Sequence, residues 1–259
     1  MRSTTKARRD KNLMNVAGKT AIITGGAVRV GRAITLALAE RGARVVIAYH
    51  MSDDAAHALA AEINHTRAEH ALAVRCDVSV ASDVNALFER ASAAFGGVDV
   101  LVNNAAIFSR RPVEELTESD FTSVIDVNLK GSYLCALEAG RHMMKQGQGG
   151  KIVQIADVGG LVAWPAFTPY CISKAGAIML VKCLAKAFAP TVQVNAVAPG
   201  TVLFEEAMSD EEQQSAIARN AIKREGTPED VARTVLFLIE GSDYITGETI
   251  IVDGGRHLA

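Results

Sequence analysis

Cysteine is scarce and unpatterned in this chain. Four occur, Cys76, Cys135, Cys171 and Cys183, without metal-ligand spacing, and they read as reduced packing residues of a cytosolic protein rather than a disulfide framework. None of the six histidines begins a zinc motif, so no metal site is expected. No apolar run approaches the roughly 20 residues that a membrane-spanning helix needs, and no membrane partner is expected. An excess of charge is missing too: the formal net charge is −2, and no global basic character argues for nucleic acid. Linker-like breaks are also absent, which favours one domain over two in a chain of 259 residues.

What is present is a regular alternation. Strand-like segments are read near residues 20–24, 44–49, 71–75, 98–103, 151–156, 193–198 and 249–252, with helices in most intervals. That pattern predicts an α/β fold: one doubly wound, Rossmann-type parallel sheet of about seven strands with helices on both faces. Nearly half of the residues are hydrophobic, enough for a substantial core. The expected division is a flexible basic tail over 1–15, carrying Arg2, Lys6, Arg8, Arg9 and Lys11, and a dinucleotide-binding catalytic domain over 16–259. The tail lacks the apolar centre of a secretory signal, and a cytoplasmic location is expected.

The first strand, Thr20-Ala-Ile-Ile-Thr24, runs into Gly25-Gly26-Ala27-Val28-Arg29-Val30-Gly31 and then an Ala/Leu-rich helix ended by Gly42. Strand, glycine turn and helix make a phosphate cradle. Gly25 and Gly31 let backbone approach a pyrophosphate, and the helix N-terminus presents unpaired N–H groups. The nearby Gly18-Lys19-Thr20 lacks the first glycine of a triphosphate loop, since Leu13 stands there.

Tyr170 and Lys174 stand four apart in Tyr-Cys-Ile-Ser-Lys. A helix starting near Pro169 puts both on one face, with the ammonium beside the phenol. A phenol ionises only near pH 10 or so, and a neighbouring cation lowers that value. Asp157 closes the run Lys-Ile-Val-Gln-Ile-Ala and so lies at a strand's carboxyl end, where open α/β sheets bind ligands. Asn128 reads as mid-helix, where asparagine is a mediocre helix former, which hints at a water-holding role beside Lys174.

Thr24-Gly25-x-x-x-Arg29-x-Gly31, Asp77-Val78, Asn103-Asn104-Ala105, Asn128, Tyr170-x-x-x-Lys174 and Pro199-Gly200 resemble, in order and spacing, the short-chain dehydrogenase/reductase family. The likeness covers nearly all of the chain after about residue 16. Two departures stand out, because most members carry glycine at Arg29 and serine at Asp157. Together they look like the pteridine reductase branch, with its Asp-Tyr-Lys set, and Phe108 falls where that branch stacks a pterin. The resemblance implies catalytic roles for Asp157, Tyr170, Lys174 and Asn128. It implies cofactor contacts from Gly25, Arg29, Val30, Gly31, His50, Ser52, Asp77, Val78, Asn104, Ala105, Tyr170, Lys174, Pro199 and Gly200. Phe108, Asp157 and Tyr170 would meet a small-molecule substrate, and a homotetramer is implied as well.

The choice of cofactor depends on the end of the second strand. An NAD site places a carboxylate there, whereas NADP sites remove it and supply cations or donors. Here the strand ends Ala48-Tyr49-His50-Met51-Ser52 without an acid at the tip. Arg29, His50 and Ser52 can face a phosphate, so NADPH is the expected cofactor. Asp53-Asp54 keep NAD as the minority reading, although they more simply begin the next helix favourably to its dipole. The expected activity is hydride transfer from NADPH to a dihydropteridine. The alternative is a general carbonyl or 3-oxoacyl thioester reductase, and a non-catalytic cofactor-binding regulator stands behind both. The charge state of Asp157 is left open by the sequence.

Overall fold

A computed structural model describes residues 13–204 and 208–258. Residues 1–12 of the expected basic tail, residues 205–207 and residue 259 lie outside the described residues. Seven strands form one sheet: β1 (Thr20–Thr24), β2 (Arg44–Tyr49), β3 (Ala71–Arg75), β4 (Val100–Asn103), β5 (Gly150–Ile155), β6 (Val192–Pro199) and β7 (Thr249–Val252). Their order is β3-β2-β1-β4-β5-β6-β7, and every neighbouring pair is parallel.

The strands are apolar runs rather than alternating ones because both faces are covered. Along β1 the side chains divide by pleat. Ala21 and Ile23 enter one core with α1 (Arg29–Glu40), α2 (Asp53–Thr66) and α8 (Pro228–Leu236). Ile22 enters the other, with α3 (Ala81–Phe95), α5 (Ser132–Gln146) and α6 (Thr168–Phe188). The remaining helices, α4 (Glu118–Ile125) and α7 (Asp210–Ala218), begin with capping boxes from Thr117 and Ser209. Two helices end as the sequence suggests. Gly42 follows α1 in the left-handed region at φ +87°, and α6 carries Pro169 in its first turn, where a missing N–H costs nothing.

Some boundaries shift. β4 begins at Val100 rather than 98; Val98 is buried, but the ladder starts only after the Gly96-Gly97 turn. Asn128 does not lie in a regular helix: the six residues Asp126–Gly131 form a π-turn between α4 and α5, a local widening often found at functional sites. The cysteines are not uniformly packing residues either. Cys76 and Cys135 are buried, whereas Cys171 is half-buried and Cys183 exposed.

The strand order reverses between β1 and β4, so the loops after these two strands part and leave a crevice at their carboxyl ends. Every predicted site residue lies on a segment at that end of the sheet.

Candidate functional site at the carboxyl edge of the sheet

The glycine turn is built by close approach. A Cβ on Gly31 would stand 2.0 Å from the Gly25 carbonyl oxygen and 2.7 Å from Asn104 Nδ2, so no side chain fits there. Asn104 ties the turn to the loop after β4, its Nδ2 donating to the Thr24 and Gly25 carbonyls at 3.0 Å each. Thr24 Oγ1 accepts from the N–H groups of Asn104 and Ala105 at 2.9 and 3.0 Å. α1 starts without a side-chain cap and without an acid in its first turn. Its N–H groups and positive dipole end are therefore uncompensated by the protein, which suits an anion such as a pyrophosphate. Arg29 opens this helix at φ +52°, a left-handed conformation that costs a non-glycine residue about 1–2 kcal/mol. Val30 follows it in the first turn.

At the far end of the crevice, His50 Nε2 stands 3.9 Å from Asp77 Oδ2. Asp77 does not cap α3, whose N-cap is Val80; its Oδ1 accepts from Ser79 N and Oγ at 2.9 and 2.7 Å. Those bonds hold its carboxyl below the usual range, against a smaller opposing effect of burial. Val78 beside it is buried. Asp53 accepts a 2.5 Å hydrogen bond from the Tyr49 hydroxyl and stands in the first turn of α2 with Asp54. The acid nearest the β2 tip is thus committed to Tyr49, while His50 is exposed, Met51 is 82% exposed and Ser52 is half-buried.

Asp157 lies two residues beyond β5 and caps the short turn Val158–Gly160, accepting from Gly159 N at 2.7 Å. Gly160 packs that turn onto α6 so tightly that a Cβ would come within 2.8 Å of the Lys174 backbone. Tyr170 and Lys174, one turn apart on α6, are both buried. Lys174 Nζ donates to the Ile155 carbonyl at 2.9 Å and stands 5.5 Å from the centre of the Tyr170 ring. The Asp157 carboxylate adjoins the Tyr170 phenol without an ideal hydrogen bond.

Burial controls the electrostatics of this trio. It raises the Asp157 carboxyl, opposed by the Gly159 N–H and by Lys174, Tyr170 and Arg256. It raises the Tyr170 phenol well above its ordinary value, and Asp157 adds to that rise. It also lowers the Lys174 ammonium to about 8, with Asp157 pulling the other way. The rise of the phenol comes first from desolvation and then from the neighbouring Asp157 carboxylate.

Asn128 is buried in the π-turn and fastens two segments. Its Oδ1 accepts from Ile107 N at 2.8 Å, and its Nδ2 donates to the Ile107 carbonyl at 3.0 Å and to Ser173 Oγ at 3.2 Å. The loop bearing Phe108 is thereby locked to α6. Phe108 stacks on Phe167, with centroids 4.5 Å apart and planes at 14°, and meets Tyr170 edge-on at 4.7 Å. Trp164 adds a further edge contact to Phe167. Phe167 belongs to this apolar wall and was not foreseen, because its only sequence signal is adjacency to Pro165 and Pro169.

Pro199 ends β6, and Gly200 turns against the C-terminal segment, where a Cβ would meet Asp253 Cβ at 2.6 Å. Arg256 was likewise not foreseen. Its guanidinium donates to Thr201 Oγ1 at 3.1 Å and to the Ala216 carbonyl at 3.4 Å, and its charge is felt by Asp157.

This arrangement is that of a dinucleotide-dependent oxidoreductase fold, and similarity to known proteins identifies the class. A family model described as enoyl-(acyl carrier protein) reductase matches residues 26–257. The chain belongs to the short-chain dehydrogenase/reductase family. It is 36% identical over 244 residues to 3-oxoacyl-[acyl-carrier-protein] reductase FabG of Staphylococcus aureus, spanning 93% of this chain and 98% of that one. It is 38% identical over 241 residues to the 3-oxoacyl-[acyl-carrier-protein] reductase of Synechocystis, spanning 92% and 96%. A 3beta-hydroxysteroid dehydrogenase 1 of Eggerthella lenta is 36% identical over 247 residues, spanning 93% and 94%.

These relatives correct the expectation of a dihydropteridine substrate, since they are named for 3-oxoacyl and hydroxysteroid chemistry. Phe108, assigned to stack a pterin, is stacked on Phe167, and Asp157 has a local use as the cap of the Val158–Gly160 turn. Among the described residues no helix is long and apolar enough to cross a membrane.

Proposed function

We propose that this chain is an NADPH-dependent carbonyl reductase acting on 3-oxoacyl thioesters. The observation that carries the reading is the buried Asp157, Tyr170 and Lys174 cluster at the carboxyl edge of β5, in a chain whose relatives are named as 3-oxoacyl-carrier reductases at 36–38% identity over nearly their full length.

The residues of the crevice fit a dinucleotide: the Gly31 close approach leaves room only for backbone, and the uncapped start of α1 offers N–H groups to a pyrophosphate. Gly25, Arg29, Val30 and Gly31 would hold the phosphates. Asp77 and Val78 would meet the adenine, and Asn104, Ala105, Pro199 and Gly200 would line the nicotinamide half. NADPH is favoured over NADH because Asp53 is engaged by Tyr49, leaving His50, Ser52 and Arg29 to face a 2′-phosphate. When bound, the nicotinamide supplies the hydride.

The chain's own residues supply the proton and the orientation. Tyr170 is held protonated across neutral pH by burial and by Asp157, so its O–H is available to the oxygen of a carbonyl that becomes an alcohol. Lys174, charged below about pH 8, holds the nicotinamide ribose and restores the proton. Asp157 stands where most of the family has serine. Burial raises its carboxyl above the ordinary value, and in its protonated form it can, like a hydroxyl, donate to the carbonyl oxygen. Asn128 keeps the Phe108 loop against α6 and anchors the relay. The wall of Phe108, Phe167 and Trp164 gives an acyl chain an apolar surface. A homotetramer and a cytoplasmic location accompany this reading.

The test is NADPH consumption with acetoacetyl coenzyme A and with a simple 3-oxo ester. Turnover of the thioester with kcat/KM above that of the ester supports the proposal, and consumption with neither sinks it.

A further inference from the structure

Arg256 sits on a pedestal built for it. Asp253, buried, accepts from Gly255 N at 2.8 Å and from His257 N and Nδ1 at 2.7 Å each, while its carbonyl accepts from Arg256 N at 3.2 Å. The carboxylate closest in sequence is therefore consumed by the turn that displays Arg256. The guanidinium meets neutral acceptors, Thr201 Oγ1 and the Ala216 carbonyl, both through the same nitrogen. Among the described residues no carboxylate bonds its other N–H groups, and a guanidinium has five. Arg219, the C-cap of α7, is close enough to repel it, and burial acts in the same direction. Arg256 and Arg219 stand together beside the loop after β6, and the carboxylates whose charges act on Arg256 are Asp253, already bonded within its own turn, and Asp157. Guanidinium N–H groups that no carboxylate bonds are suited to a bidentate anion.

We propose that Arg256 recognises an anionic group, a carboxylate or a phosphate, on the substrate, and so sets which carbonyl compounds this site accepts. This rests on the carbonyl reductase reading above. The anion has two possible sources, a carboxylate close to the reacting ketone or the phosphate of a thioester's carrier arm. Both share the forked acceptor chemistry that a guanidinium reads.

The experiment compares three substrates at saturating NADPH: a neutral 3-oxo ester, the matching 3-oxo acid and acetoacetyl coenzyme A, each with the unmutated enzyme, Arg256→Gln and Arg256→Lys. Loss of one charge-assisted contact is expected to raise KM about ten- to a hundredfold, with little change in kcat, for the anionic substrate alone. A rise confined to the 3-oxo acid assigns a carboxylate near the carbonyl, and one confined to the coenzyme A ester assigns a phosphate. Arg256→Lys should recover part of the loss, because it keeps the charge but not the fork. Equal changes on all three substrates, or no change, overturn the assignment while leaving the reductase reading intact. Failure to turn over any of the three overturns both. In the unmutated enzyme inorganic phosphate should compete with the anionic substrate at saturating NADPH; absence of competition also refutes the proposal, and does so without relying on a variant that folds.

Discussion

Replacing Asp157 by asparagine keeps the shape of the side chain and removes its charge, which isolates the electrostatic role of the residue. That charge raises the pKa of Lys174 and also that of Tyr170. An opposite charge within about 4–6 Å of a buried group commonly shifts its pKa by about one to three units. Burial raises the Asp157 carboxyl itself, which works against its charged form, so about two units is taken as the upper bound. In the unmutated chain Lys174 loses its proton near pH 8, which places the alkaline limb of kcat/KM for NADPH there, since this parameter reports groups of the free enzyme. Asp157→Asn should move that limb down by about one to two pH units. The sign follows from the charges: without a neighbouring anion, a buried ammonium is harder to keep protonated. A limb that stays near pH 8 or moves up would refute the argument, and so would a limb absent from the unmutated enzyme between pH 7 and 9.

Tyr170→Phe removes the phenolic donor but keeps the ring edge against Phe108; turnover should fall by about 10²-fold or more while NADPH affinity, followed by fluorescence titration, survives. Near-normal turnover would transfer the proton-donor role to Asp157. Arg29→Gly relieves the residue at φ +52° but deletes a cation beside the proposed phosphate cradle, so the ratio of kcat/KM with NADPH to that with NADH should drop; an unchanged ratio counts against Arg29 as a phosphate ligand. Lys174→Met should abolish activity and yet stabilise the chain. The folded Lys174 titrates near 8 against 10.5 when unfolded, so its cost is present in full below about pH 8 and vanishes above pH 10.5. At pH 7 that cost is about 3 kcal/mol, less about 1 kcal/mol for the lost bond to Ile155. Urea denaturation at pH 7 should show a gain of about 2 kcal/mol, and a net loss would contradict the burial argument.

The sheet was legible because a parallel strand covered on both faces has to be apolar along its whole length, as Thr20–Thr24 and Arg44–Tyr49 nearly are. Edges were less so. Val98 is as buried as a strand residue, and apolarity alone does not say that the ladder begins two residues later. The glycine turn and the Tyr170–Lys174 pair were readable because each is a local pattern whose geometry follows from spacing. Phe167 and Arg256 were not. Phe167 joins the wall through a turn in which its ring meets Trp164 edge-on, and the charge of Arg256 acts on Asp157 from near the C-terminus. The π-turn at Asn128 has no periodic signature, since it adds one residue to an otherwise helical run.

Asp157 shows where such reading runs out and why. Its presence in place of a hydroxyl is visible in the sequence, but the chemistry it supports depends on its protonation, which depends on burial. On an exposed strand end the carboxylate would be ionised and would accept from N–H donors, the premise of a nitrogen heterocycle as substrate. In this crevice desolvation pushes the carboxyl upward, and the Gly159 N–H occupies Oδ1, leaving a single oxygen towards Tyr170. Where that carboxyl carries its proton it is a hydrogen-bond donor to a carbonyl, much as serine is. The substitution that looks like a change of substrate class is thus compatible with the 3-oxoacyl chemistry of the relatives, and Asp157→Ser should accordingly retain reduction of a simple 3-oxo ester within about tenfold, the scale of one hydrogen bond exchanged for another. Loss of ester reduction well beyond that, with the fold intact by circular dichroism, would show that the carboxyl does chemistry that a hydroxyl cannot.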